Sequence, residues 1–446
     1  MREGLRSQLW PLPVLGVLLA LGAGIGLPAL DGAVGRHVSL RMRSFLFGGG
    51  PDAARAVLEA IAGSLISVTA LTFSLTVVAL QLASSQFSPR LLRTFAADRY
   101  VQATLALFLA TFTYALTVLR TVRTAHDAQP AFVPQMSVTL AFALALASIL
   151  GLVLFLSHLA RELRVETMLV AVHHDAEDTM ERILGTPADE GTDGAPVLPP
   201  RPPGDAVPLL AARSGFLTAV DESVLLRAAA RADAVVLVDR PPGGSLIAGT
   251  PCGRVWRRDG STFPPDVLDR LLRQAADAVV AGGERTDEQD VAFALRQLTD
   301  VAVKALSPGV NDPTTAVHAL SHSSALLCAF AQRPLGPRLL HDADGRLRVM
   351  LERPDLPALL ELAVSQPLRY GSAEPEVLRR IAMLLHEVAW TAPPARRTDP
   401  GALLQRLRVT VAGQDFSPEE RDRLDELVRR AERTMRSGGD ALGGAT

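Results

Sequence analysis

Four stretches of the chain carry no charged residue: Leu9 to Leu30, Ala60 to Pro89, Tyr100 to Leu119 and Met136 to Ser157. Each reaches the roughly 20 residues needed to cross ~30 Å of hydrocarbon as a helix, the form that satisfies its own backbone hydrogen bonds. The pattern predicts a transmembrane domain of four spans over residues 1–158. Arg2 and Arg6 ahead of the first stretch give it the look of a secretory signal. Its apolar run is longer than a signal core, and three more spans follow, so it reads as a span. Gly22 and Gly26 have the small-xxx-small spacing that lets membrane helices approach closely. With Gly24 they mimic part of a dinucleotide fingerprint, but no strand precedes them and that reading is discarded.

The second stretch differs from the other three. It reads "GSLISVTALTFSLTVVALQLASSQFSP" from Gly63 to Pro89. An uncharged helix over Ala60 to Pro89 is ~45 Å long, more than the hydrocarbon core requires. At 100° per residue, Gly63, Ser67, Ser74, Gln81 and Ser85 fall within about 40° of one another. Such a stripe lines an aqueous path between copies of the chain, or serves helix packing. Thr69, Thr72 and Thr76 fall on the other face.

Beyond the spans the periodicity changes. Leu159 to Leu184 continues as a helix and contains "VHHDAED", which sets His173 over Glu177 and His174 over Asp178. Such pairs suit a transition metal, and a solvated polar face explains them as well. Gly185 to Val207 is dense in Pro, Gly and acid and reads as a linker, so 159–207 is a helix plus linker. From 208 to 263 short strands alternate with turn signals, with a helix over Glu222 to Ala232. The pattern resembles small barrel-like modules that carry biotin or lipoate. Carriage needs a lysine at a hairpin tip, and none is present there. From 264 to 446 the chain reads as a helical soluble domain. Thr286 and Gln289 have capping-box spacing ahead of the stripe Val291, Leu295, Leu298, Val301, Ala302 and Ala305. A hairpin turning at Asp344-Gly345 follows. Later helices fall near Leu356–Val364, Pro375–Trp390, Gly401–Val411 and Pro418–Met435. The fold class is mainly α: a four-span helical membrane domain, then an α+β region with a small β-rich barrel-like module and a helical C-terminal part.

Charge adds two points. The net charge of −2 gives no footprint for nucleic acid. Arg2, Arg6, Arg90, Arg93, Arg99, Arg161 and Arg164 fall on one side of four spans. Arg36, Arg41, Arg43, Arg55, Arg120 and Arg123 fall on the other, a narrow margin for the positive-inside rule. Both termini are expected in the cytoplasm because the long C-terminal region shows no sign of export. Cys252 and Cys328 lie far apart and form no metal or redox motif, which suits a reducing compartment.

One segment stands against the chain's own bias. "KALSPGVNDPTTA" holds the only lysine, Lys304, and the only asparagine, Asn311, in a chain otherwise rich in arginine. Ser307-Pro308-Gly309 ends one helix, and Asp312 with Pro313 starts the next. Lys304 near a helix C-terminus favours the dipole, and Asn311 tolerates left-handed backbone. Two roles are open. Lys304 closes over the turn and ties two helices together, or Lys304, Ser307, Asn311, Asp312, Thr314 and Thr315 frame a pocket for an anion or small ligand.

Three stretches together are similar to a bacterial family of predicted integral membrane proteins known only as a domain of unknown function. They are "GSLISVTALTFSLTVVALQLASSQFSPRLLRTF", "FVPQMSVTLAFALALAS" and "DVAFALRQLTDVAVKALSPGVNDPTTA". The resemblance covers nearly the whole chain. It implies a bacterial envelope protein with a helical membrane half and a soluble half, and brings no activity, substrate or catalytic residue. No HExxH, GxSxG or phosphate loop occurs. No catalytic residue, metal set or cofactor is expected. The functional expectation is a homo-oligomeric channel or transport-like pore in the bacterial cytoplasmic membrane, with a cytoplasmic regulatory domain. Ser67, Ser74, Gln81 and Ser85 would line it, and its ion or small-molecule ligand is unnamed. The alternative is a membrane-anchored sensor or binding module that does not conduct.

Overall fold

The computed structural model describes residues 10–34, 46–86, 98–124, 131–162, 164–185 and 200–437. Of the arginines weighed for orientation, 2, 6, 36, 41, 43, 90 and 93 lie outside the described residues, as does most of the Pro/Gly-rich linker. The chain divides into two compact units, Met1–Thr167 and Met168–Thr446.

In the first unit, helices α1 (Pro11–Val34), α2 (Pro51–Gln86), α3 (Arg99–Leu119) and α4 (Gln135–Glu162) match the four apolar stretches. All four are long and apolar enough to cross a membrane. α3 packs against each of the other three. Phe108, Tyr114, Ala115 and Val118 on it are fully enclosed. The other helices turn large apolar side chains outward, among them Leu18, Leu19, Leu71, Phe73, Ile149 and Leu150. In water such a surface would be unfavourable, and against lipid it costs nothing. α2 starts ahead of the uncharged stretch because Ala54, Leu58, Ile61, Ala62 and Leu65 extend its buried face by helical spacing. At 36 residues it is ~54 Å long.

The glycines of α1 pack differently from expectation. Gly22 and Gly26 face open space. The close approach to α3 is made by Gly16, Ala20 and Gly24, also at small-xxx-small spacing. A Cβ at Gly24 would lie 2.7 Å from that of Thr117.

The helix expected to run unbroken from Leu159 to Leu184 is divided. Arg164 N–H bonds to Arg161 C=O, closing the last turn of α4 with an i−3 bond, and α5 (Val165–Leu184) begins afresh.

In the second unit, strands β1 (Val207–Leu210), β2 (Gly215–Val220), β3 (Ala234–Val238), β4 (Ser245–Leu246) and β5 (Pro251–Arg257) arise where the turn signals place them. Helix α6 (Glu222–Arg231) lies between β2 and β3, with Asp221 as N-cap. These strands form two open sheets and do not close as a barrel. β2 pairs with β4 and with β6 (Val279–Gly282), while β1, β5 and β3 join β8 (Leu347–Leu351) and β7 (Arg338–His341) in the order β1-β5-β3-β8-β7. The reason is legible in β3. "AVVLV" is apolar throughout, the signature of a central strand buried on both faces. It needs a neighbour at each edge. β5 supplies one, and β8 supplies the other in parallel, with Val236 opposite Val349. Leu225 and Ala229 of α6, with Leu271 and Ala275 of α7 (Pro265–Ala278), fill the core against the strands.

The rest is helical: α8 (Phe293–Ala305), α9 (Pro313–Ala331), α10 (Leu356–Tyr370), α11 (Pro375–Thr391), α12 (Gly401–Ala412) and α13 (Pro418–Ser437). α10 runs past the expected Val364 to Tyr370. The hairpin β7–β8 turns at Asp344-Gly345 as expected, with Gly345 at φ +73°.

Candidate functional site

Gly63, Ser67, Ser74 and Gln81 all lie exposed on one side of α2. Ser85 belongs to the last turn of α2, and its side chain is outside the described residues. On the opposite side Thr72 and Thr76 are buried and donate their hydroxyls to the carbonyls of Val68 and Thr72. Small and hydroxyl residues therefore do serve packing, but on the threonine face. Among the described residues of the unit, none packs over the serine–glutamine stripe.

Two polar clusters that the sequence pattern did not single out sit at the ends of the spans. Asp31, in the last turn of α1, is buried and accepts from Met136 N–H (3.2 Å), Ser137 N–H (3.0 Å) and Ser137 Oγ (2.9 Å). A carboxylate is disfavoured at the C-terminal end of its own helix, yet favoured at the N-terminus of α4. The three hydrogen bonds decide the balance. Asp31 is an N-cap delivered from another helix. At the start of α3, Asp98 accepts from Tyr100 N–H (2.7 Å) and meets His158 Nε2 of α4 at 2.5 Å, and the Tyr100 ring stacks on His158. Between the clusters Thr111 and Ser148 share a hydrogen bond.

The Lys304–Thr315 segment is a helix–turn–helix. The tie between α8 and α9 is made by backbone. Asp312 N–H bonds to Ala305 C=O (2.8 Å), and the N–H groups of Val310 and Asn311 bond to Ser307 C=O. Ser307 Oγ donates to Lys304 C=O at 2.6 Å. Lys304 itself is exposed, and its ammonium bonds to no other described residue. Asn311 has φ +49°, the left-handed backbone that asparagine tolerates. Asp312 caps α9, accepting from the Thr315 hydroxyl (2.5 Å) and N–H (3.1 Å), and these bonds hold its carboxyl below the usual range. The Thr315 donor that an anion would need is thus already taken by a carboxylate. Lys304→Arg is expected to change stability by less than ~0.5 kcal/mol, as at other exposed sites without partners. Asn311→Ala is expected to cost ~1 kcal/mol and Asn311→Gly to be nearly neutral. Thermal unfolding of the full chain measures all three, and a large loss from Lys304→Arg would restore a compact lysine site.

The loop from Gly283 to Ala292 joins three parts of the second unit. The expected capping box does not form, because Gln289 turns to β2, accepting from Val220 N–H (2.9 Å) and donating to Val220 C=O (3.2 Å). The helix therefore starts later, at Phe293. Asp290 is buried, receives Arg285 through Nε (3.0 Å) and a terminal nitrogen (2.5 Å), and accepts from Ala292 N–H. Burial pushes its carboxyl up, and those three donors offset the effect only in part. Gly243, at φ +80°, closes over the pair. From α5, Arg182 donates to Asp287 C=O (3.1 Å).

α5 is seated by further side chains. Arg333 donates to Gly185 C=O (3.0 Å) and Arg353 to Ile183 C=O (3.4 Å), cations placed on the free carbonyls of a helix C-terminus. His173 of α5 meets His322 of α9 edge to face, ring centres 5.2 Å apart. His174 turns to Glu177, not to Asp178. Among the described residues no three His, Cys, Asp or Glu side chains are placed to share a metal. Cys252 and Cys328 are free, and burial pushes both thiols up, away from the reactive thiolate.

The family described as "Predicted membrane protein (DUF2254)" matches residues 6–387. The uncharacterized protein Rv1290c of Mycobacterium tuberculosis and the uncharacterized protein Mb1321c of Mycobacterium bovis are each 37% identical to the chain over 418 residues. Those residues are 93% of this chain and 78% of either relative. No solved structure matches it.

Proposed function

Since the chain belongs to the predicted membrane protein family (DUF2254), we propose that it acts as a homo-oligomeric channel or transport-like pore lined by α2. The bacterial cytoplasmic membrane is its site, and the second unit lies in the cytoplasm as a regulatory domain. The observation that carries this reading is Gln81, exposed with Ser67 and Ser74 on the face of α2 turned away from its own unit. An amide in hydrocarbon without partners costs several kcal/mol, of the order of 2–7 by transfer data. A second copy or a water-filled path removes that cost. Asp52 and Glu59 are exposed near the same side at the start of α2, and negative charge at a pore mouth favours cations.

Single cysteines at 67, 74 and 81 are expected to crosslink between copies, and the purified protein to conduct in planar bilayers, with Gln81→Leu lowering conductance at least tenfold. Labelling of all three positions by a lipid-phase probe without crosslinking would overturn the pore. A reporter fused after Thr446 is expected to read cytoplasmic.

A further inference from the structure

We propose that the seating of α5 on the second unit is controlled by pH through the His173–His322 contact. α5 buries one face, Met168, Leu169, Val172, Ala176, Thr179 and Met180. His173 borders that face, and its Nδ1 is enclosed with no hydrogen-bond partner among the described residues. The charged and titratable groups around the pair are few. On α5, Glu177 Oε1 lies 3.5 Å from His173 Nε2 and favours charge, while its other oxygen is shared with His174 at 3.8 Å. On α9, His318 acts on His322 and is itself beside Asp312. Burial first, then His173 and His318, holds the His322 imidazole below its ordinary range.

The direction of the effect follows. Seating favours the neutral form of His322, and unseating removes the His173 contribution and moves the imidazole back toward its ordinary ~6.5. The seat is complete above that value and weakens as pH falls below it. Protonation of both rings would also place two like charges in contact. The seat belongs to the second unit and exists whether or not the chain conducts.

Hydrogen exchange of the full chain in detergent, corrected for intrinsic rates, tests this between pH 7.5 and 5.5. Residues Met168 to Leu184 are expected to lose protection several-fold at the lower pH. α7, which carries no histidine, should not respond. The double variant His173→Gln, His322→Gln is expected to keep its protection at pH 7.5 and lose the pH response. No response in the unmodified protein, or one that survives the double variant, would overturn the proposal. If the variant is already unprotected at pH 7.5, histidine NMR of the unmodified chain decides. Titration of His322 below ~6.5 supports the switch, and titration at or above it refutes it.

Discussion

Gly243→Ala is expected to destabilise the second unit by roughly 3–5 kcal/mol. Two costs combine. Gly243 has φ +80°, and a side chain in that region costs of the order of 1–3 kcal/mol. The added Cβ would also lie 2.0 Å from Asp290 Oδ2 and 2.6 and 2.7 Å from the Arg285 guanidinium nitrogens. Those groups are side-chain ends that hold each other, so yielding to the Cβ means separating the pair. Moving them apart leaves a buried carboxylate uncompensated, an event worth roughly 3–5 kcal/mol by itself when complete. Gly249 is the control. Its φ is +77°, but nothing lies within 4 Å of its Cβ position. Gly249→Ala should therefore carry only the backbone cost, ~1–2 kcal/mol. Denaturant unfolding of the full chain, followed by Trp256 in β5, separates the two. Equal losses from both variants would mean that the glycine is required for its backbone angle alone.

Asp31→Ala is expected to destabilise the membrane unit by about 2–3 kcal/mol. The substitution removes three hydrogen bonds at once and leaves the Met136 and Ser137 N–H groups at the start of α4 without their acceptor. An ordinary N-cap is worth ~0.5–2 kcal/mol, and hydrogen bonds to a charged group ~1.5–3. Here the cap also ties α1 to α4, so its loss loosens two helices. Asp31→Asn keeps one acceptor oxygen and should fall between. Unfolding in detergent micelles reads the difference, and an alanine variant as stable as the parent would show that the cap is replaceable by water.

Some of the architecture was decided locally and could be read in one dimension. The four spans are of this kind, because an apolar stretch of some twenty residues has few alternatives in a bilayer. So is the turn between α8 and α9. Asp312, Pro313 and the left-handed Asn311 do their work within a few residues of themselves. The long-range partners were not legible. Asp31 is an unremarkable acid at the end of an apolar run until α4 is brought beside it. Gln289 has the right spacing for a capping box, and a local rule cannot know that Val220 offers it both a donor and an acceptor. Gly22 and Gly26 satisfy the same spacing rule as Gly16, Ala20 and Gly24, and only the position of α3 tells which set is used.

The same division runs through the candidate site. The amino-acid sequence by itself determined that α2 carries a polar stripe, since a 100° rotation per residue follows from the helix alone. It also determined a membrane half, a strand-rich segment and a helical end. Tertiary structure alone decided which way the stripe faces, by burying the threonine side of α2 in its own unit. It decided that β3 takes β8 as its second neighbour, and that His173 and His322, distant in the chain, touch. Periodicity constrains the face a residue occupies on its own element. What that face meets depends on contacts between elements far apart in the chain, and no local pattern encodes their distance.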